Sequence, residues 1–303
     1  MKNISNKNAF SLIELSIVIL IIGILVAGVT QSSRLIRQMK ISSARSITNS
    51  SPISSISNLS GWWETTLETS LDQNLSNNDK ILSWNDINPQ SLYKINFTQG
   101  NATYQPQFVE SGINGIPSLS FNNSFLTLTN FTLSGNYTFF IVFNSTSISS
   151  NGSSIISLTE SSLHGINFAI LSATGAYLGL NRRFRALHRS PLGSATENDN
   201  YINASNTIAD NKDYILSYSR NLNTNQSDFY LNGISANDAT YKGATAQALN
   251  SANLTLMIGN LMPSNLGRPF NGKISEIIIF DKALNSEEMK AVNDYLSKKY
   301  NIK

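Results

Sequence analysis

Glu14 is the one ionisable side chain in a twenty-residue apolar run, Phe10 to Val29, which reads FSLIELSIVILIIGILVAGV. At 1.5 Å per residue, a helix of that length crosses the ~30 Å hydrocarbon core of a bilayer. A carboxylate at that depth is expensive, and an acid kept there despite the cost marks a functional position. A short polar leader, Met1 to Ala9, precedes the run and carries Lys2 and Lys7. A secretory signal has its small-residue cleavage site after the apolar region. Here the polar-to-apolar junction, Ala9–Phe10, comes before it. Lys2 and Lys7 favour a cytoplasmic N-terminus, with Arg34, Arg37 and Lys40 beyond the run working against that asymmetry.

A second set of chemical groups lies at Asn181 to Arg189, NRRFRALHR, with Arg182, Arg183, Arg185 and Arg189. If this stretch is a strand, Arg183, Arg185 and Arg189 share one face while Phe184 and His188 share the other. A basic strip beside an aromatic ring can hold a nucleic-acid backbone or an acidic glycan. The alternative is a solubilising strand face. Candidates for catalysis are thinner. Glycan hydrolysis needs carboxylates paired across the scissile bond, and the nearest pattern, Glu197-Asn198-Asp199, sits in a polar, loop-like stretch and lacks a third acid. His164 and His188 are the only two histidines, in unrelated contexts, with no Gly-x-Ser-x-Gly elbow or metal-ligand spacing. The absence of cysteine rules out thiol nucleophiles, thiolate metal sites and disulfide staples. The soluble part therefore reads as non-enzymatic. Calcium needs several oxygen ligands converging from loops; Asp79, Asp86, Asp199, Asp228 and Asp281 qualify by type, without a complete ligand pattern.

These residues must be positioned by elements of two kinds. The apolar run continues as an amphipathic helix from Val26 to about Ser46, with Leu35, Ile36, Met39 and Ile41 set between Arg34, Arg37 and Lys40. Its apolar stripe is expected to face neighbours or the head. Asn49 to Gly61, rich in Ser and broken by Pro52, reads as a linker. Beyond it come short strands separated by turn residues: Ser118–Phe121, Tyr137–Phe143, Ser154–Leu158, Asn167–Leu171, Tyr214–Ser219 and Leu254–Ile258. Ser227–Leu231 runs into Asn232-Gly233, a tight-turn signal. Lys273–Phe280 is apolar on both faces, as a central strand is. Only the C-terminus is clearly helical, with Asn285 as N-cap, Glu288 at N3, and a stripe of Met289, Val292 and Leu296. Many short strands at this spacing argue for an all-β sandwich or barrel.

Two resemblances sharpen this. Phe10, Ser11, Leu12, Ile13, Glu14 and Leu15 resemble the type IV prepilin signal in order, with Ala9 standing where that family prefers Gly. The resemblance implies cleavage between Ala9 and Phe10 by prepilin peptidase, then N-methylation of Phe10. In a filament, Glu14 would pair with the Phe10 amine of a neighbouring subunit, satisfying both groups in an apolar core and setting axial register. Many pilins carry a proline near the end of the run; Gln31 stands there and implies a straighter helix.

The remainder is similar to the concanavalin A-like lectin/glucanase superfamily in its laminin G-like form. The matching residues are Trp62-Trp63, Ser83-Trp84-Asn85-Asp86, Gly112 to Phe121, Tyr230 to Gly233, Met257 to Asn260, Phe270 to Glu276, Phe280 to Leu284 and Tyr295 to Tyr300. It implies two antiparallel sheets in a jelly roll, with Asp86 and Asp281 as turn formers. Members bind sugars or proteins, some through calcium, and some hydrolyse glycans.

The expected protein is mainly β: a leader (1–9), a transmembrane assembly helix (10–46), a Ser-rich linker (47–60) and a sandwich with a C-terminal helix (61–303). It is expected to be a minor or tip subunit of a type IV pilus-like filament, held in the bacterial inner membrane before assembly. Its partners would be other pilin subunits and a surface glycan or protein ligand. The alternatives are a structural pseudopilin of a type II secretion system, a DNA-uptake minor pilin, and a filament-displayed glycan hydrolase.

Overall fold

The computed structural model describes residues 11–159, 166–174, 181–189, 199–224, 226–237, 254–261 and 267–303. Helix α1 (Leu12–Asn49) runs unbroken for 38 residues from its N-cap, Ser11. A 3-10 turn (Pro52–Ser55) leads into β1 (Leu59–Glu64). The chain then builds two antiparallel sheets and closes with α2 (Ser286–Tyr300).

The strands that follow are β2 (Ser83–Trp84), β3 (Phe97–Thr98), β4 (Gln107–Ile113), β5 (Ile116–Phe121), β6 (Leu126–Phe131), β7 (Tyr137–Ser147), β8 (Ser153–Thr159) and β9 (Ile166–Ser172). After these come β10 (Arg183–Arg189), β11 (Asp199–Thr207), β12 (Asp213–Asn221), β13 (Gln226–Leu231), β14 (Ile234–Ser235), β15 (Leu254–Ile258) and β16 (Asn271–Phe280). Among the described residues, the middle sheet has the order β14-β13-β12-β7-β16-β5-β4, with β1 also paired to β16. The outer sheet has the order β11-β10-β9-β8-β15-β6-β3-β2. Both helices lie on the far side of the middle sheet, so that sheet is buried on both faces.

This is why β7 and β16 read as continuous apolar runs. In β7, Phe139, Ile141 and Phe143 enter the core between the sheets, while Phe140 and Val142 enter a second core beneath the helices. In β16, Ile277 and Ile279 face one way, Ile278 and Phe280 the other. Each such side chain contributes roughly 1.5–3 kcal/mol on burial. The adjacent tryptophans of β1 divide in the same manner: Trp63 meets Phe97 at 4.6 Å between ring centroids, and Trp62 meets Tyr295 of α2 edge-on at 6.2 Å. The tight turn forms at Asn232-Gly233, where φ is +53° and +76°. Helix α2 has its capping box, with the Glu288 N–H donating to Asn285 Oδ1 at 2.9 Å.

Two segments differ from their sequence reading. Residues 47–60 are packed, not extended: Ile53, Ile56 and Leu59 are buried in the second core, and Leu59 already pairs with Phe280. Their apolar side chains recur every third residue and are hidden among serines. Asp199, read as part of a polar loop, opens strand β11 and pairs with Arg189. There the backbone ladder supplies order that the Asn-rich sequence does not signal. Glu197, Asn198 and His164 lie outside the described residues.

Candidate assembly and ligand-binding sites

The first turn of α1 is closed by its own side chains. The Ser11 N–H donates to Glu14 Oε2 at 2.9 Å, and the Ile13 N–H donates to Ser11 Oγ at 3.3 Å. The Glu14 carboxylate thus sits at the positive end of the helix dipole, where an anion is favoured. Among the described residues, no cation pairs with it; Ala9 and Phe10 lie outside them. From Leu12 to Val29 every side chain is exposed. Further along, Leu35, Ile36 and Met39 are also more than half exposed, and the helix turns a different face to the head. That face carries Arg37, paired with Glu110; Lys40, donating to Asn114 O; and Arg45, donating to Thr66 O at 2.7 Å and Glu68 at 3.0 Å. Ala44 and Thr48 complete it, both buried.

The end of that face joins a buried polar network which sequence reasoning missed. Glu64 of β1 and Glu276 of β16 stand directly opposite each other in the ladder, a pairing that like charges make unfavourable. Lys299 of α2 lies between them, its Nζ at 2.8 Å from Glu64 and 2.7 Å from Glu276, all three side chains sealed from solvent. The remaining lone pairs are filled. Glu276 accepts from Trp62 Nε1 at 2.7 Å, Tyr295 at 2.7 Å and Tyr300 at 2.9 Å. Glu64 accepts from the Thr66 N–H at 2.8 Å, the Thr66 hydroxyl at 2.5 Å and the Leu67 N–H. Burial alone would raise the Glu64 carboxyl, but the Lys299 charge and these bonds hold it below the usual carboxylate value. Burial would lower Lys299, yet Glu276 and then Glu64 carry it above the usual lysine value. Tyr295 links onward to the Thr48 hydroxyl at 3.3 Å, and Thr66 O accepts from Arg45. A ring of polar contacts therefore runs from α1 through α2, β16 and β1 back to α1. The available signal was the lone acid of KISEIIIF and the acid following Trp62-Trp63.

The arginine cluster is a strand, as its alternation allows, and its described arginines differ in exposure. Phe184 and Ala186 point into the core between the sheets. Arg185, on the opposite face, is buried with its Nε donating to Asn203 at 2.9 Å. Arg182 lies in the preceding turn with φ +66°, pairs with Asp210 and donates to Ile208 O at 2.9 Å. Arg183 is partly exposed. Arg189 is placed by its backbone at the end of β10, opposite Asp199; its side chain is outside the described set.

With two sheets, their interlayer core and the closing helix defined, sequence and structure comparisons place the molecule. The profile of the concanavalin A-like lectin/glucanases superfamily matches residues 120–290, more than half of the chain. The chain belongs to that superfamily. The prokaryotic N-terminal methylation motif matches residues 4–30. No curated protein sequence matches the chain. Among solved structures, Trypanosoma rangeli sialidase in complex with sialic acid is similar with TM-score 0.52 and 12% identity, over 80% of this chain and 33% of the sialidase. Domain 4 of AbnA, a GH43 extracellular arabinanase from Geobacillus stearothermophilus in complex with arabinotriose, is similar with TM-score 0.48 and 14% identity, over 78% of this chain and 98% of that domain. The chain spans about a third of the length of the sialidases it matches. At these identities the likeness is one of fold.

Within this lectin/glucanase fold the aspartates proposed for calcium are dispersed. Asp86 accepts from the Trp62 and Asn88 N–H groups, both at 2.9 Å, and burial raises its carboxyl above the usual range. Asp281 accepts from the Ser134 N–H at 2.6 Å, Asp79 from the Ser76 N–H at 2.7 Å, and Asp228 from the Asn237 amide at 2.7 Å. Asp86 is a turn former, as the resemblance implied; Asp281 instead ties its turn to the β6–β7 connection. Among the described residues, no three His, Cys, Asp or Glu side chains gather as a metal site; the Asp199 side chain is outside the described set.

Proposed function

We propose that this chain is a type IV pilin-like subunit, a minor one at or near a filament tip, whose lectin-like head binds a surface glycan. The observation that carries this reading is the division of α1. Its first half is apolar on every side, interrupted by Glu14 and Ser16, and touches no other described element. Its second half is fastened into a lectin/glucanase head by Arg37, Lys40, Arg45 and Thr48. An exposed apolar helix 18 residues long needs lipid or neighbouring helices. Glu14 then has a use in each: near the headgroups before assembly, and against a neighbour's Phe10 amine afterwards.

We infer further that the head is not an enzyme. Glu64 and Glu276, a carboxylate pair among the described residues, are sealed and bridged by Lys299, where no glycan can reach them. The burial of Arg185 also weighs against the basic strip that favoured a DNA-uptake role. Glu14→Ala should leave the subunit in the membrane and remove it from sheared filaments by at least tenfold, measured by immunoblot of both fractions. Normal incorporation would sink the Glu14 mechanism. Ligand binding should be measured on a fragment beginning at Thr30, because one beginning at Gly61 would lose Ile53, Ile56 and Leu59 from the second core.

A further inference from the structure

The connection between β2 and β3 raises an apolar finger at one end of the head. Leu92 and Tyr93 are 97% and 86% exposed, the most exposed large apolar side chains among the described residues of the head. Its base is held firmly: Gln90 Nε2 donates to Ser54 O at 3.1 Å and Ile56 O at 2.6 Å, and the Ser91 hydroxyl closes on Tyr93 O at 2.7 Å. Lys94 is also exposed and donates to Asn88 O. An adjacent apolar pair mounted in this way has already lost the entropy that docking would otherwise cost.

At the other end of β1 there is a matching recess. A cleft of about 160 Å³ opens between α1 and the head. It is lined by Ile41 and by the buried Leu71, Phe108 and Pro117, with Asp72 and Gln73 exposed at its margin. Among the described residues, Asp72 accepts only from the N–H groups of Asn74. An apolar floor with a polar margin is the form of an interface pocket. Leu59 lies beside the finger, through the Asn88 amide at 2.7 Å, and Thr65 lines the cleft. Six residues of extended chain separate them, about 20 Å. The cleft takes Ile41 and Arg45 from α1, and the finger is tied to Ser54 and Ile56, beyond the end of α1.

We propose that Leu92 and Tyr93 of one copy seat in the cleft of the next copy, stacking heads head-to-tail along the α1 axis. Lys94 of the first copy then approaches Asp72 of the second. A heterologous contact of this kind does not close on itself and so propagates. It is small, below the size of a stable interface, and acts only once α1 has brought copies together and raised their effective concentration. The proposal rests on the filament reading above and adds to it: the subunit sits in short runs of heads, not alone.

The chain has no cysteine, so introduced pairs report cleanly. The full-length double variant Lys94→Cys with Gln73→Cys, which keeps Leu92 and Tyr93, should when assembled in cells and oxidised give a disulfide ladder of this subunit in sheared filaments. Each single variant should give none, and co-expression of the two singles should give dimers only. Adding Leu92→Asp to the double variant should reduce the ladder at least tenfold. A double variant present in filaments without a ladder overturns the contact and leaves the filament reading intact. Cross-links solely to a different subunit overturn the second copy as partner. Absence of the chain from filaments overturns both readings.

Discussion

The two halves of α1 share one backbone and obey opposite rules. From Leu12 to Val29 the side chains meet no other described element, and a Cβ added at Gly23 or Gly28 would find open space. From Arg37 to Thr48, by contrast, four polar side chains reach specific atoms of the head. The free half gains its stability from whatever surrounds it, lipid or other helices, so its sequence need only be apolar. The docked half must fix a direction, and direction comes from hydrogen bonds and ion pairs whose geometry is narrow. A surface meant for partners stays open, while the joint that aims the head is settled within the chain.

The largest effect should follow from breaking that joint at its centre. Lys299→Met leaves Glu64 and Glu276 facing each other, buried and unbalanced, and should cost about 3–5 kcal/mol. For a domain of this size that corresponds to a fall in Tm of roughly 6–20 °C, measured by calorimetry on the fragment from Thr30. An unchanged Tm would mean that the network does not fasten α2. The same groups set the response to pH. Glu64 is held below its ordinary value of 4.5, so its contribution is complete above that pH and drains away as pH falls through the lower folded value. Lys299 is held above 10.5, so its contribution is complete below that pH and is lost as pH rises through the higher folded value. From these two groups stability should be flat between about 4.5 and 10.5, and in Lys299→Met, where nothing offsets the burial of Glu64, the acid limb should reverse, stability rising as pH falls. An acid limb unchanged in the variant would assign it to other carboxylates.

Much of the architecture was legible because it rests on local rules. The continuous apolar runs of β7 and β16, the Asn232-Gly233 turn and the Asn285–Glu288 cap are written in neighbouring residues, and each is where the sequence places it. What could not be read depends on partners distant in sequence. Glu64, Glu276 and Lys299 are individually unremarkable, and only the pairing of β1 with β16 under α2 brings them within 3 Å. Arg185 looked like part of an exposed strip because alternation gives its face, not what covers that face. The serines of 47–60 suggested a tether because composition outweighed the spacing of Ile53, Ile56 and Leu59.

A smaller change tests whether the ring is one unit. The Thr48 hydroxyl meets Tyr295 at 3.3 Å and donates to Ala44 O at 3.0 Å. Thr48→Val keeps the shape and removes both contacts, and should cost about 1 kcal/mol. If Thr48 belongs to the same network as Lys299, the two variants will not add. Tyr295 also donates to Glu276, so losing Lys299 already loosens the hydroxyl that Thr48 meets. The coupling in a double-mutant cycle should be at least about 0.5 kcal/mol. The control lies in the other half of the helix. The Ser16 hydroxyl likewise donates back to a carbonyl, that of Ile13 at 2.8 Å, but on the exposed face. Measured with Lys299→Met on the full-length chain in detergent, Ser16→Ala should leave the stability of the head within about 0.5 kcal/mol and show no coupling to Lys299. Additivity at Thr48 would reduce the joint to separate contacts, and coupling at Ser16 would erase the boundary between the two halves.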